Sequence, residues 1–284
     1  MPFFQNQVIA ITGAGGGIGS ELAWYFARQG AQLALADRNE ALLHKLGADL
    51  EDTAASVHTY VVDVCDEASM RDWVGVITQT YGKVDVLLNN AGMTNFALFE
   101  EQDLAQINTL MDVNVRGVML GCHLFLPLLK RSQRAHIVNM SSMIALAAAP
   151  MQTTYTASKW AIRGFSHALR MELSSQGIGV TAVLPGTIAT PFLQNAQSTD
   201  SSGTEVMSTM MLKFGSSPQR VAKKISKAIR SNRKELRVGW DSHLVAFTQR
   251  LLPGFIPAMI SFAYRRYMKN RPIASVVSSE EVAP

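Results

Sequence analysis

Near its start the chain runs Val8–Ile11 as a short apolar stretch and breaks into Thr12-Gly13-Ala14-Gly15-Gly16-Gly17-Ile18-Gly19. It then continues with helical spacing through Gln29. Glycines between a strand and a helix permit a tight turn and close backbone approach. The helix beyond offers unpaired N–H groups and the positive end of its dipole. That combination suits a pyrophosphate, so the junction points both to a βαβ unit and to a dinucleotide site. Its candidate members are Thr12, Gly13, Gly15, Gly17, Ile18 and Gly19. The plain alternative is a tight turn that binds nothing.

The βαβ reading extends along the chain. Leu33–Ala36, Val57–Val62, Val84–Leu88, His136–Met140 and Val180–Leu184 have the continuous apolar character of strands buried on both faces. Between them Glu40–Leu50, Ala68–Tyr81, Leu104–Arg131 and Thr156–Gln176 read as helices, and Leu236–Gly239 as a seventh strand. Strands alternating with helices predict an α/β fold, a parallel sheet covered on both faces. Residues 191–216, rich in Ser, Thr, Gln and Met, read as a long mobile loop with one short helix, of the kind that serves as a lid.

Composition excludes several classes. With 48% hydrophobic and 17% charged residues over 284 positions, the chain is not disordered and needs no disulfide or metal staple. Cys65 and Cys122 are 57 residues apart and fit no metal or redox spacing, so no metal is expected. Met1–Gln7 lacks a basic segment ahead of an apolar run, so no secretory leader is expected and the protein is read as cytoplasmic.

The net charge of +4 conceals an asymmetry. Residues 213–271 hold fourteen Lys or Arg against Glu235 and Asp241, whereas residues 1–212 are net acidic and the tail from Pro272 adds Glu280 and Glu281. Such a segment meets acidic lipid, nucleic acid or an anionic substrate, or is only a solvated helical face. No recognised motif accompanies Tyr264 and Tyr267, so nucleic acid is not an expected partner. The apolar run Leu251–Tyr264 contains Pro253, Gly254 and Pro257. It is too short to cross a bilayer but able to lie on one.

Asp37 ends the second strand, 18 residues beyond Gly19. A carboxylate there accepts from the ribose hydroxyls of NAD and repels the extra phosphate of NADP. Arg38 argues the other way, since a guanidinium pairs with a phosphate or stacks on adenine. NAD is therefore favoured over NADP, with Asp63 as a partner for the adenine amine or else a helix cap.

Tyr155-Thr156-Ala157-Ser158-Lys159 sets a phenol and an ammonium on one face of a helix, a turn apart. A free tyrosine, with a pKa near 10, is a poor proton carrier at neutral pH. A nearby ammonium, together with a positively charged nicotinamide ring, favours the phenolate and brings it into range. Alone, the pair is more often a surface helix pair. Here the glycine loop, Asn89-Asn90-Ala91-Gly92, Asn114, Ser142, Tyr155, Lys159 and Pro185-Gly186 follow in order. Together, over residues 5–238, they resemble the short-chain dehydrogenase/reductase family in its ordinary branch with one Rossmann-type domain.

The resemblance implies a doubly wound sheet and a hydride-transferring oxidoreductase. It implies Tyr155 as general acid/base, Ser142 (13 residues earlier) polarising the substrate oxygen, and Lys159 holding the nicotinamide ribose while lowering the tyrosine pKa. It further implies that Asn114 sustains a water-linked proton relay. Val64, Asn90, Ala91 and Gly92 would line the adenosine side, and Pro185, Gly186, Ile188 and Thr190 the nicotinamide side. The long helices Leu104–Arg131 and Thr156–Gln176 would form a dimer face, with a tetramer as the second option.

Beyond residue 238 the chain departs from that pattern, with an apolar and basic extension, 239–284. The extension covers the substrate mouth, touches membrane lipid or simply packs on the core. With the Met-rich lid it suggests a lipophilic secondary alcohol or ketone (steroid-, retinoid- or acyl-like) contacted by Phe192, Met207 and Met211. The alternatives are an NADPH-dependent carbonyl or 3-oxoacyl reductase and, less favoured, a non-catalytic dinucleotide sensor.

Overall fold

In the computed structural model, which describes residues 3–270, the apolar runs and two short dipeptides form strands. These are β1 (Val8–Thr12), β2 (Gln32–Asp37), β3 (Ser56–Val61), β4 (Val86–Asn89), β5 (Asn95–Phe96), β6 (His136–Met140), β7 (Gly179–Pro185), β8 (Gln197–Ser198) and β9 (Glu235–Val238). The helices are α1 (Gly17–Ala27), α2 (Glu40–Leu50), α3 (Glu67–Tyr81), α4 (Leu104–Met111), α5 (Gly117–Leu129), α6 (Thr153–Leu173), α7 (Ser201–Phe214), α8 (Pro218–Arg230), α9 (Trp240–Leu251) and α10 (Phe255–Asn270).

Seven strands form one sheet in the order β3-β2-β1-β4-β6-β7-β9, and each neighbouring pair is parallel. Strand alternation sends side chains to opposite faces. Ile9, Ile11, Leu33 and Leu35 therefore share a core with Leu22 and Phe26 of α1 and Ile225 of α8. Val8, Ala10 and Ile137 share the other with Trp73 of α3, Phe125 of α5 and Ile162 of α6. The chain winds outward from β1 toward β3 and, after β4, toward β9. The carboxyl ends of β1 and β4 thus open the crevice where ligands of such sheets sit.

Two segments differ from the sequence expectation. The helix expected over Leu104–Arg131 is α4 and α5 joined by a π-helical turn, Asp112–Arg116. Leu104–Leu129 is long and apolar enough to cross a membrane, but half of it is buried inside the protein. The expected mobile loop 191–216 is instead a 3₁₀ turn, Pro191–Asn195, the strand β8 paired with β5, and the fourteen-residue helix α7. Local polar bonds explain the difference. Asp200 caps α7 by accepting from Gly203 N at 2.9 Å and from the Ser202 hydroxyl. The Thr204 hydroxyl donates to the Asp200 carbonyl at 2.7 Å. These Ser and Thr residues, counted against a helix, satisfy its first turn.

The basic run also divides. In α8 the apolar face, Val221, Ala222, Ile225 and Ile229, is buried while Lys223 and Lys227 are exposed, which is a solvated helical face. The tail from Pro272, with Glu280 and Glu281, lies outside the described residues.

Candidate active site

The crevice between β1 and β4 is built by backbone. The Thr12 hydroxyl accepts from Asn90 N and Ala91 N, both at 3.1 Å. The Asn90 side-chain amide donates to the carbonyls of Thr12 and Gly13, at 3.1 and 2.9 Å. Gly13, with φ of 63°, lies so close to Ala91 that a Cβ would come within 2.7 Å of its Cα. At Gly19 a Cβ would meet the Gly13 carbonyl at 2.0 Å. No side chain caps α1 at Gly16, whereas Asn39, Asp66, Asp103, Asp200 and Ser217 cap α2, α3, α4, α7 and α8. The first-turn N–H groups of α1 are thus left to an external anion, as a pyrophosphate requires.

Asp37 closes one end of the crevice, accepting from Gly15 N and Asn39 N at 2.9 Å each. Arg38 is exposed beside it. Asp63 is also exposed and takes the Cys65 N–H at 2.8 Å, while Val64 fits under Gly117, which has no Cβ to displace it.

The other wall is the turn after β7. Ile188 is buried and bridged to Ser216, and Thr190 sits against Gly17, where a Cβ would come within 2.8 Å of its methyl group. The glycine loop and the Pro185–Thr190 turn are therefore in contact. Sequence reading missed the group that fixes this turn. Asp241, in the first turn of α9, accepts from Thr187 N at 2.6 Å and Ser242 N at 2.8 Å. Ser242, fully buried, donates to the Leu184 carbonyl at 2.9 Å. A Cβ at Gly186 or Gly239 would fall 2.0 or 2.2 Å from the Asp241 carboxylate, so both glycines make room for it. The signal was Gly239-Trp240-Asp241-Ser242, an Asp in the first turn of a helix just past a strand.

Tyr155, Lys159 and Ser142 converge where β6 ends and α6 begins. Lys159 is buried, donates to the Met140 carbonyl at 3.0 Å and lies 5.5 Å from the Tyr155 ring centroid. The Ser141 hydroxyl donates to the Lys159 carbonyl at 2.7 Å, so Ser141 braces the helix while Ser142 faces the phenol. Ser142 accepts from Ile144 N at 3.3 Å, and its hydrogen bond to Tyr155 favours the phenolate. Burial outweighs that bond and pushes the phenol up to about 12, while burial alone lowers the Lys159 ammonium to about 8. Burial thus disfavours the charged form of each group.

Asn114 sits in the π-helical turn, a distortion frequent at functional sites. Its amide spans the backbone of Met93, accepting from N and donating to O, both at 2.9 Å, and also donates to Ser158 Oγ at 3.0 Å. Ser158 in turn donates to the Tyr155 carbonyl at 2.7 Å. Gly92 leaves the space between Asn114 Oδ1 and Lys159 Nζ open, since a Cβ there would lie 3.2 and 3.4 Å from them.

Beside the phenol is an apolar floor of Leu110 and Ile144, with Met93, Ala149 and Phe192 against it. The Phe192 ring lies 6.3 Å from that of Tyr155. Met211 is half-buried on α7, whereas Met207 is 44% exposed.

A dinucleotide crevice leading to a buried tyrosine and lysine defines an oxidoreductase that uses a nicotinamide cofactor. Residues 7–201 match the family model described as short chain dehydrogenase, and the chain belongs to that family. It is 34% identical over 190 residues to the 3-oxoacyl-[acyl-carrier-protein] reductase FabG of Thermotoga maritima, covering 67% of this chain and 77% of that one. It is 31% identical over 260 residues to "Probable oxidoreductase EphD" of Mycobacterium tuberculosis, covering 88% of this chain but only 44% of EphD. The crystal structure of a short-chain dehydrogenase/reductase from Burkholderia phymatum in complex with NAD superposes with a TM-score of 0.79 at 26% identity. That match covers 98% of this chain and 100% of that one.

Proposed function

We propose that this dehydrogenase/reductase interconverts lipophilic secondary alcohols and ketones with NAD(H), and that Tyr155 is its general acid/base. The observation that carries the reading is the buried cluster of Tyr155, Ser142 and Lys159 bordered by Leu110, Ile144 and Phe192. Gly13–Gly19, Asn90–Gly92 and Pro185–Thr190 would hold a nicotinamide cofactor, which would accept the substrate's hydride in oxidation and return it in reduction. In oxidation Tyr155, as phenolate, takes the hydroxyl proton of the substrate. In reduction it returns that proton to a carbonyl oxygen also held by Ser142. Both hydrogen bonds strengthen as negative charge grows on that oxygen, which is what lowers the barrier. Lys159 holds the ribose and passes protons through Asn114 and water. Phe192, Met207 and Met211 contact the apolar substrate.

Asp37, presented at the glycine loop, supports NAD over NADP. Exposed Arg38 and the likeness to FabG favour a second reading, an NADPH-dependent carbonyl or 3-oxoacyl reductase. On either reading residues 1–238 form the catalytic unit and 239–284 an extension of a cytoplasmic homodimer paired through α4–α5 and α6, with a tetramer the second option.

The test is nicotinamide absorbance during turnover of bulky apolar and small polar alcohols and ketones, with NAD(H) and NADP(H) in parallel. Turnover confined to apolar compounds with NAD(H) is expected. Dominant activity on small sugars would overturn the substrate class, and activity only with NADP(H) the cofactor preference.

A further inference from the structure

The helices that follow the sheet present apolar side chains to solvent in register. On α9, Trp240, Leu244 and Phe247 recur at spacings of four and three, which places them on one face, and all are exposed, Phe247 by 64%. On α10, Phe255, Met259 and Phe262 repeat the pattern, with Phe262 69% exposed. The same α10 stripe continues into Arg266 and Lys269, also exposed. The opposite side of α10 faces the protein. Ile256 is buried, and the Tyr267 hydroxyl donates to Asp200, the cap of α7. The helices are thus docked on the fold with their apolar faces turned outward.

We infer that α9 and α10 form a platform that seats the enzyme on an anionic bilayer surface. Three observations select that occupant. First, neither helix is long enough to span by itself, at roughly 18 and 24 Å against about 30 Å of hydrocarbon; together they are long and apolar enough, but they bend by 115° where they join, which suits a pair lying along a surface. Second, one stripe that is apolar at its start and cationic at its end matches the boundary between acyl chains and acidic headgroups. Third, Arg250, Arg265, Arg266 and Lys269 are exposed on these helices, and their one acid, Asp241, is committed to the Thr187 turn. A second copy pairing two-fold and antiparallel through α10 would lay the cationic end, Arg266 and Lys269, against the apolar start, Phe255 and Met259, and match neither. The inference is independent of which alcohol the site oxidises.

The experiment is flotation of the full chain with vesicles of phosphatidylcholine and phosphatidylserine in a three-to-one ratio. Vesicles of phosphatidylcholine alone run alongside, and the anionic arm is repeated at raised salt. The protein should float with anionic vesicles, and less so at raised salt. The exposed-site variant Phe247→Glu/Phe262→Glu should stay in the dense fraction while keeping its melting temperature and its NADH affinity in solution. Arg266→Gln/Lys269→Gln should weaken binding to anionic vesicles by about thirtyfold. Failure of the wild-type chain to float, or flotation of the Phe247/Phe262 variant like the wild type, would overturn the platform. Equal flotation with neutral vesicles would overturn the charge pairing. A particle mass that falls on Phe247→Glu/Phe262→Glu, with no vesicle binding by the wild type, would assign the face to a second copy instead.

Discussion

Burial sets the chemistry of single residues here more than charge does. Tyr155, only 8% exposed, is pushed up to about 12 by burial, which on the proposed mechanism suits the proton donor that reduction needs. Oxidation needs the phenolate, which Ser142 and the positive charge of an oxidised nicotinamide favour. The residue types at this site were legible because a phenol, an ammonium, a serine and an amide in fixed order have few structural uses. The depth at which they are buried was not, because desolvation is a property of the packed interior and not of spacing.

His136 shows the same effect away from the site. Its Nε2 lies 2.8 Å from the Thr181 hydroxyl, and burial, with Arg170 nearby, lowers its pKa to about 3. The unfolded chain gains a proton below about pH 6.5 that the folded one refuses, so stability falls as pH falls through that window. The contribution lost should reach about 2 kcal/mol by pH 5. Urea unfolding of the protein and of His136→Gln at pH 7 and pH 5 should show the variant losing that much less. Equal losses would contradict a neutral buried histidine.

Elements were legible where periodicity alone forms them and less so where local polar bonds do. The seven strands of the large sheet and α1, α2, α3 and α6 follow apolar patterns, and their ends differ from the reading by a few residues, whereas the short pair β5 and β8 carries no such pattern. Helix α7 is longer than the short helix read there because Asp200, Ser202 and Thr204, residues that usually mark loops, bond its first turn. The π-helical turn was hidden because hydrophobic spacing does not register one extra residue in a turn, yet that turn carries Asn114. The turn after β7 depends on α9, which lies beyond the matched family region, through Asp241. The Thr187 N–H bonded to this carboxylate contributes about 1.5 kcal/mol to holding that turn. Asp241→Ala should therefore raise KM for the cofactor about tenfold, with kcat at saturating cofactor changed far less. A fall in kcat at unchanged KM would contradict its role as a positioning residue.

At the scale of the whole molecule, function follows from where the sheet changes winding direction. The carboxyl ends of β1 and β4 part there, so the glycine loop, Asn90 and Ala91 meet without crossing strands. The carboxyl ends of β6 and β7 bring Ser142 and the Pro185–Thr190 turn to the same side, and α6 delivers Tyr155 and Lys159 between them. That convergence was implied by the alternating pattern, because parallel strands place all their carboxyl ends together. The placement of α9 and α10 was not, since their apolar residues could equally have packed inward.

The central claim is that Tyr155 moves the proton while the rest of the crevice holds the cofactor. The most direct measurement compares Tyr155→Phe with the wild type in two readouts, NADH binding by fluorescence and turnover by nicotinamide absorbance. The account predicts an NADH affinity within about threefold of the wild type and turnover reduced by about a thousandfold or more. Turnover within tenfold of the wild type, at unchanged NADH affinity, would contradict it.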